Sequence, residues 1–218
     1  MNEFKNKKYV DLLFDTLVAF DVASSMPTET SGAIYRAAIV SSVVSLECAA
    51  NICIDNLELP EEIYSQIEKF SIPARFDYFV YEKFGCLIDK SRFEYYCLQA
   101  VISIRNDYVH PKVESGAWVK ETFDVSYGTK KKSLFDNDIR KWGANEAEIV
   151  IDHCIKFLNY FFIDLCKFRK GQVAYMLGCR ENFIREVEIS IRIDSEARLL
   201  NHLKTKIEFI DFSLPENT

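Results

Sequence analysis

The stretch of residues 37–54 constrains the fold more than any other part of the sequence. It is apolar on nearly all sides of a helix, and Glu47 is its only charged residue. Such a helix has to be covered by other protein elements or by lipid. Three serines and Asn51 also interrupt the stretch, and a charge at the middle of a bilayer is costly. We therefore predict a buried helix, over about residues 31–57, at the centre of a helical bundle.

Four other segments repeat apolar residues at helical spacing, and a fifth is either a helix or an ordered loop. The helical segments cover about residues 4–23, 60–71, 92–109 and 146–168. The fifth, residues 74–85, is rich in aromatics and should end at Gly85. Only 7 of the 218 residues are Gly and 5 are Pro, which favours helices over a turn-rich fold. The chain has the length of one main domain.

Two regions break the helical pattern. Between residues 113 and 143 apolar residues alternate with polar ones, which predicts a short β excursion. After residue 170 come an alternating stretch and a helical stretch, and then Ile207, Phe209 and Phe212, which suggest another short strand. The predicted fold class is mainly α. It consists of a helical bundle over residues 1–170 with a short β excursion, and a small C-terminal α+β appendage over residues 171–218.

The net charge and the cysteine pattern argue against several classes of protein. The formal charge is -6, which argues against a protein that coats nucleic acid through a broad basic face, because such binding depends on neutralised phosphates. The seven cysteines are scattered singly, without a C-x-x-C or a pair of histidines. We therefore predict no metal centre, no cofactor and buried thiols in a reducing cytoplasm. The N-terminus lacks the apolar core of a signal peptide, so we predict a cytoplasmic protein without a membrane partner.

The segment RNDYVHPK carries the strongest candidate for chemistry, namely Arg105, Asn106 and His110. On a regular helix, a five-residue spacing places Arg105 and His110 about 140° apart. Pro111 disfavours helical backbone at the residue before it. The helix should therefore end near Val109 and leave His110 free to turn toward the other two side chains, so that the three line one small pocket.

These three residue types suit phosphate chemistry. The guanidinium of Arg105 offers a fixed fork of donors to a phosphate. Asn106 can hold an oxygen in place, and His110 can exchange a proton near neutral pH. Together they predict a site that cleaves RNA without a metal ion. A short Arg-to-His motif also occurs by chance, as an Arg paired with an acid and a His that satisfies the last carbonyls of its helix.

The segment resembles the R-N-x-x-x-H motif of the HEPN superfamily, whose ribonuclease members carry it near the end of a bundle helix. HEPN domains also place a polar or acidic residue on an earlier apolar helix that faces the motif, and Glu47 in SLECAAN is similar to that element. The resemblance implies that Glu47 pairs with Arg105. It also implies a HEPN-like bundle and a homodimer whose two motifs form one composite cleft.

The chemistry implied by the resemblance is metal-independent endoribonuclease action on RNA. The 2′-hydroxyl attacks the adjacent phosphate, His110 handles a proton, Arg105 bears the developing charge, and Asn106 orients the phosphate or the His. The same resemblance implies a toxin or defence protein, with an antitoxin protein as a further partner. Lys112 departs from the pattern, because some HEPN toxins paired with a nucleotidyltransferase antitoxin carry Tyr at that position.

Several alternatives stay open on the sequence alone. Glu47 is either a site residue or an ion-pair partner that merely orients two helices. Asn51, one turn later, is either a buried hydrogen-bonding residue or a site residue. The HEPN fold also serves as a non-catalytic module that binds a nucleotide or a protein partner. A helical interaction protein outside the family would place Glu47, Arg105 and His110 far apart.

Overall fold

The computed structural model describes residues 8–109, 117–121, 124–128, 139–177 and 206–210. This part of the chain is mainly α, as predicted. A short 3-10 helix, Ile139–Lys141, precedes the sixth α-helix, and a π-helix, Tyr160–Leu165, follows it. The α-helices are α1 (Tyr9–Ser24), α2 (Thr28–Asp55), α3 (Glu61–Ile67), α4 (Ile72–Phe84), α5 (Phe93–Val109), α6 (Ala144–Asn159) and α7 (Lys170–Leu177).

Helix α2 lies at the centre of the bundle, which confirms the prediction from its apolar sequence. Each of the other six described α-helices contacts it. Its buried side chains include Ile39, Leu46 and Ile54, none of them more than 1% exposed. Full burial of such a side chain contributes roughly 1.5–3 kcal/mol. Helix α2 therefore organises the core, and it begins three residues earlier than predicted, directly after Pro27.

Among the described residues, one helix is long and apolar enough to cross a membrane by length and composition. It covers Thr30–Asp55 of α2, with a mean hydropathy of 1.8 in its most apolar window, and 61% of that window is buried inside the bundle. Core helices of soluble proteins and signal sequences share these properties. The cytoplasmic location therefore stays a prediction.

A cluster of phenylalanines joins α4 to α6 and to the π-helix. Phe76, Phe157 and Phe161 are fully buried. The ring centroid of Phe76 lies 5.0 Å from that of Phe157 and 4.6 Å from that of Phe161. Pairs of this geometry contribute about 0.5–1.5 kcal/mol each beyond their area burial. We call these three side chains the aromatic core.

Helix α4 settles the ambiguous aromatic-rich segment in favour of a helix. Ser71 before it is extended, with ψ of 156°, and Pro73 occupies its first turn, where a missing N–H costs nothing. Gly85 ends the helix as predicted, in the left-handed conformation with φ of 67°. Helix α3 ends at Ile67 rather than near Ser71, because the chain must become extended at Ser71 before α4 can start.

Helix α6 forms where predicted, but both ends of the helical segment differ from the prediction. It begins at Ala144, and the carboxylate of Glu146 accepts a hydrogen bond from the backbone N–H of Gly143 at 2.9 Å. Gly143 therefore precedes the helix, which begins two residues earlier than predicted. From Tyr160 the backbone widens into the π-helix, which ends three residues before the predicted end at residue 168.

Residues 206–210 do not form the short strand predicted around Ile207 and Phe209. Asn159 takes the place that a neighbouring strand would have. Its Nδ2 donates to the carbonyl of Lys206 at 2.9 Å, and its Oδ1 accepts the backbone N–H groups of Glu208 and Phe209 at 2.9 and 3.3 Å. Both Ile207 and Phe209 are buried. A side chain thus satisfies backbone groups that a sheet would otherwise pair.

The described residues of the predicted appendage pack against the bundle. Helix α7 contacts α2, and two of its side chains are fully buried. The ring of Phe209 lies 5.8 Å from that of Phe162 and 6.3 Å from that of Tyr9. The division of the chain at residue 170 stays a prediction, since the alternating stretch over residues 187–193 lies outside the described residues.

One antiparallel pair of strands lies within the region of the predicted β excursion. Strand β1 (Ala117–Glu121) pairs with β2 (Asp124–Gly128), with Ala117 opposite Gly128 and Glu121 opposite Asp124. The rest of that region up to the 3-10 helix lies outside the described residues.

Candidate functional site

Five polar side chains from three helices meet on one side of α2. Glu47 and Asn51 are four residues apart on this helix, so they lie on the same face. Arg75 reaches them from the first turns of α4, and Arg105 comes from the last turns of α5 with Asn106 beside it. We call these five side chains the polar cluster.

Arg75 is the buried member of the polar cluster, with only 9% of its side chain exposed. Its Nε donates to the carbonyl of Phe70 at 2.9 Å, and its Nη1 donates to Oδ1 of Asn51. Its Nη2 lies 3.3 Å from Oε1 of Glu47. A planar guanidinium holds its five donors in one rigid, wide fork, whereas the three donors of a Lys ammonium sit on a single nitrogen. Arg75 therefore ties α2 to α4 and to the turn before α4.

Arg105 is an accessible member of the polar cluster. Its side chain is 30% exposed, close to the 31% of Glu47, and its Nη2 lies 4.0 Å from Oε2 of Glu47. Its Nη1 donates to Oδ1 of Asn106 at 3.1 Å. The two carboxylate oxygens of Glu47 thus face different guanidiniums, of which Arg75 is the closer. An Arg has five N–H donors, so Arg105 keeps donors for an anion.

The charges of the polar cluster leave one unit of positive charge, because two guanidiniums face one carboxylate. The pair of Glu47 and Arg105 is about a third exposed on both sides, and exposed pairs of this kind contribute about 0–1 kcal/mol. The hydrogen bonds of a buried Arg to charged partners are stronger, about 1.5–3 kcal/mol. Arg105 can therefore exchange Glu47 for another anion at low cost, whereas Arg75 stays in place.

The structure brings together some of the predicted site residues. The pairing of Glu47 with Arg105 is confirmed. Asn51 is an exposed residue whose side chain accepts a hydrogen bond from Arg75, so it is not the buried residue that one interpretation made it. The last described residue of α5 is Val109. His110 lies outside the described residues, and its place beside Arg105 stays a prediction.

Arg75 is the member of the polar cluster that the sequence analysis missed. The aromatic residues of the same segment, such as Phe76 and Phe79, indicate apolar packing and give no sign of a polar contact. One signal was available, because Arg75 follows Ile72 by three residues and precedes Phe79 by four. That spacing places it on the buried stripe of the helix. A cation on such a stripe requires a partner in the core, and Glu47 is the only acid in the central stretch of α2.

His153 is a titratable residue of α6 outside the polar cluster. His153 packs edge-on against the ring of Phe93, at 6.1 Å between centroids. Burial lowers the pKa of His153 below its ordinary value, and the ammonium of Lys156 adds to that effect. The residues that the structure describes include no group of three His, Cys, Asp or Glu side chains that could hold a metal ion.

The described cysteines differ in exposure. Cys97 and Cys166 are buried, and burial raises the pKa of Cys97 to about 11 and that of Cys166 to about 12. Cys86 is exposed, contrary to the prediction of buried thiols. The reason is local, because Gly85 ends α4 and Cys86 follows it outside the helix.

Comparison with known proteins yields no relatives. No protein-family model matches the chain, and no curated protein and no solved structure matches it.

Proposed function

We propose that the chain is a metal-independent endoribonuclease of the HEPN type, acting as a homodimer in the cytoplasm. The observation that carries the proposal is the contact between Glu47 on α2 and Arg105 on α5, with Asn106 bound to Arg105. This contact joins the two sequence elements on which the family resemblance rests. The mainly helical bundle around α2 agrees with the resemblance.

The proposed reaction starts with a phosphate of RNA at Arg105. The guanidinium binds a non-bridging phosphate oxygen and stabilises the charge that develops on it. The 2′-hydroxyl oxygen forms a bond to this phosphorus, and the bond to the 5′ oxygen of the next nucleotide breaks. A 2′,3′-cyclic phosphate and a 5′-hydroxyl result. The 2′-hydroxyl loses a proton and the leaving 5′ oxygen gains one, and His110 carries a proton in this exchange. Asn106 orients the phosphate or the His110 ring.

The charge distribution supports a small RNA site. The whole chain carries a formal charge of -6, whereas the three charged side chains of the polar cluster sum to one positive unit. A protein of this kind gains little from a long track of phosphate contacts. We propose that it engages one or two phosphates of a flexible single strand, as a toxin or defence protein acting on RNA.

We propose that a second copy of the chain completes the cleft, because one copy offers a single Arg105 and a single His110. Val44 lies one turn before Glu47 on the same face of α2 and is 38% exposed, so it offers an apolar contact beside the polar cluster. In light scattering after gel filtration, we expect a mass near twice 25.3 kDa. Val44→Glu should give monomers and slower cleavage, whereas a monomeric wild type would contradict the dimer.

A second candidate function is a non-catalytic HEPN module that binds a nucleotide or a protein partner, such as an antitoxin. One observation favours it: Arg105 uses part of its donor set on Glu47 of α2 and on Asn106, which links α5 to α2. In this case the ion pair orients α2 and α5, and Arg105 binds without supporting cleavage.

Incubation of mixed RNA with purified protein in the presence of a chelator separates the two functions. Arg105→Ala and His110→Ala should each lower the cleavage rate by about 100-fold or more, because one removes charge stabilisation and the other a proton carrier. Lys83→Gln is the matched control, since it removes a cation from the far end of α4. Equal nicking by the wild type and both site variants would indicate a contaminating nuclease and sink the catalytic proposal.

A further inference from the structure

Arg75 has no counterpart in the motif, yet polar groups of α2 and of the turn before α4 hold it in place. It is fixed from three sides, by Phe70, Asn51 and Glu47. It is also nearly inaccessible, so it cannot itself bind RNA. Its link to the proposed reaction is its contact with Glu47. Glu47 competes with a phosphate for Arg105.

We infer that Arg75 is a positioning residue that holds Glu47 back from Arg105 and so leaves Arg105 free for phosphate. The inference rests on the proposed function and adds a positioning residue to the same site. Nη2 of Arg75 lies 3.3 Å from Oε1 of Glu47, whereas Nη2 of Arg105 lies 4.0 Å from Oε2. The second distance is the outer limit of an ion pair and too long for a hydrogen bond.

Charge explains why this arrangement favours anion binding. With Arg75 present, the three charged groups sum to one positive unit, and Glu47 has a closer partner than Arg105. Without Arg75, the sum is zero, and Arg105 is the remaining cation of the polar cluster for the Glu47 carboxylate. A phosphate would then have to displace a carboxylate that has no other described partner, which weakens its binding.

Asn51 extends the same arrangement. Its Oδ1 accepts a hydrogen bond from Nη1 of Arg75, while Nη2 of the same guanidinium faces Glu47. Asn51 and Glu47 lie one turn apart on α2, so the two contacts fix the plane of the guanidinium against that helix. This plane sets which carboxylate oxygen of Glu47 remains for Arg105.

The test measures the binding of a 2′-O-methyl oligonucleotide by fluorescence anisotropy. Its blocked 2′-oxygens prevent the proposed cleavage, so binding is read independently of catalysis. We expect Arg75→Gln to weaken binding about tenfold, the size of one lost charge-assisted contact. We expect the double variant Arg75→Gln with Glu47→Gln to bind within about threefold of the wild type, because it restores one positive unit.

Two further variants separate charge from folding. Arg75→Lys keeps the charge but loses the planar fork that orients Glu47, so it should recover part of the binding and bind more tightly than Arg75→Gln. It also serves if Arg75→Gln fails to fold, which thermal unfolding monitors. Lys83→Gln removes a charge from the same helix away from the polar cluster and should bind like the wild type.

The inference is overturned if Arg75→Gln binds as tightly as the wild type, or if adding Glu47→Gln gives no recovery. It is also overturned if Arg75→Lys binds as weakly as Arg75→Gln. The proposed function fails separately, if the wild type shows the expected binding pattern but does not cut unmodified RNA. A wild type that binds no oligonucleotide at all would overturn both.

Discussion

Arg75 and Phe76 are neighbours in α4, but they face two different regions of the molecule. Phe76 lies in the aromatic core, where every contact is apolar and fully buried. Arg75 lies in the polar cluster, where contacts are charged and one side is open to solvent. The aromatic core owes its stability to burial and close packing. The polar cluster contributes less to the free energy of unfolding than the aromatic core does. Its arrangement instead determines which anion Arg105 can bind.

The largest expected effect on stability comes from the aromatic core. Phe76→Ala removes a ring from contact with Phe157 and Phe161, so it should lower the free energy of unfolding by about 3–5 kcal/mol. Urea unfolding followed by circular dichroism measures this loss. A decrease below about 1.5 kcal/mol would mean that the aromatic core is less well packed than the ring geometry indicates. Oligonucleotide binding by the folded fraction should not change.

Arg75→Ala, the matched change one residue away, should lower the free energy of unfolding by about 2–3 kcal/mol. The Phe70 carbonyl loses its side-chain donor, and the Asn51 amide loses its partner, but Arg105 still neutralises part of the charge of Glu47. The same urea experiment measures the effect. A loss equal to that of Phe76→Ala would remove the contrast between the two regions.

Asn159 tests how much a polar side chain stabilises the fold when it lies beside apolar residues rather than in the polar cluster. Asn159→Ala removes the hydrogen bonds to Lys206, Glu208 and Phe209. We expect a loss of about 1–3 kcal/mol, because three hydrogen bonds to backbone groups at the edge of the core are lost. Asn159→Asp is a useful comparison, since it keeps the acceptor and loses the donor. An unchanged unfolding midpoint for Asn159→Ala would show that water replaces these bonds.

The smallest expected effect on stability is a pH dependence at His153. Its pKa is lowered in the folded state, chiefly by burial and also by Lys156. The unfolded state therefore binds more protons below the ordinary His pKa of about 6.5, and stability falls as pH is lowered through that value. His153→Gln should lose this component between about pH 7 and pH 5. Identical slopes of unfolding free energy against pH for both proteins would contradict it.

The sequence predicted the apolar framework better than the polar contacts. The long apolar stretch locates α2 and the helical periodicity locates α6, because many apolar residues contribute to each pattern. The strand predicted at Ile207 and Phe209 was wrong, because a single side chain, Asn159, pairs with the backbone there and no local pattern shows a partner so distant in the chain. Glu47 and Arg105 could be paired only through a family resemblance.

Arg75 shows the same limit within the site. Its spacing from Ile72 and Phe79 places it on the buried stripe, but the identity of its partners depends on how α2 and α4 cross. Helix crossing is set by the packing of many side chains, which the sequence does not state directly. His110 differs again, since its role rests on the motif and on Pro111 rather than on a described contact.

The most direct test of the proposed function is the chemistry of the RNA ends that the protein leaves. Wild-type protein is incubated with a short single-stranded RNA in excess chelator, and the fragments are weighed by mass spectrometry. We predict 2′,3′-cyclic phosphate and 5′-hydroxyl ends with the wild type, and almost no fragments with Arg105→Ala at equal folded concentration. Intact RNA, 5′-phosphate ends or equal fragmentation by Arg105→Ala would contradict the assignment of this site to RNA cleavage.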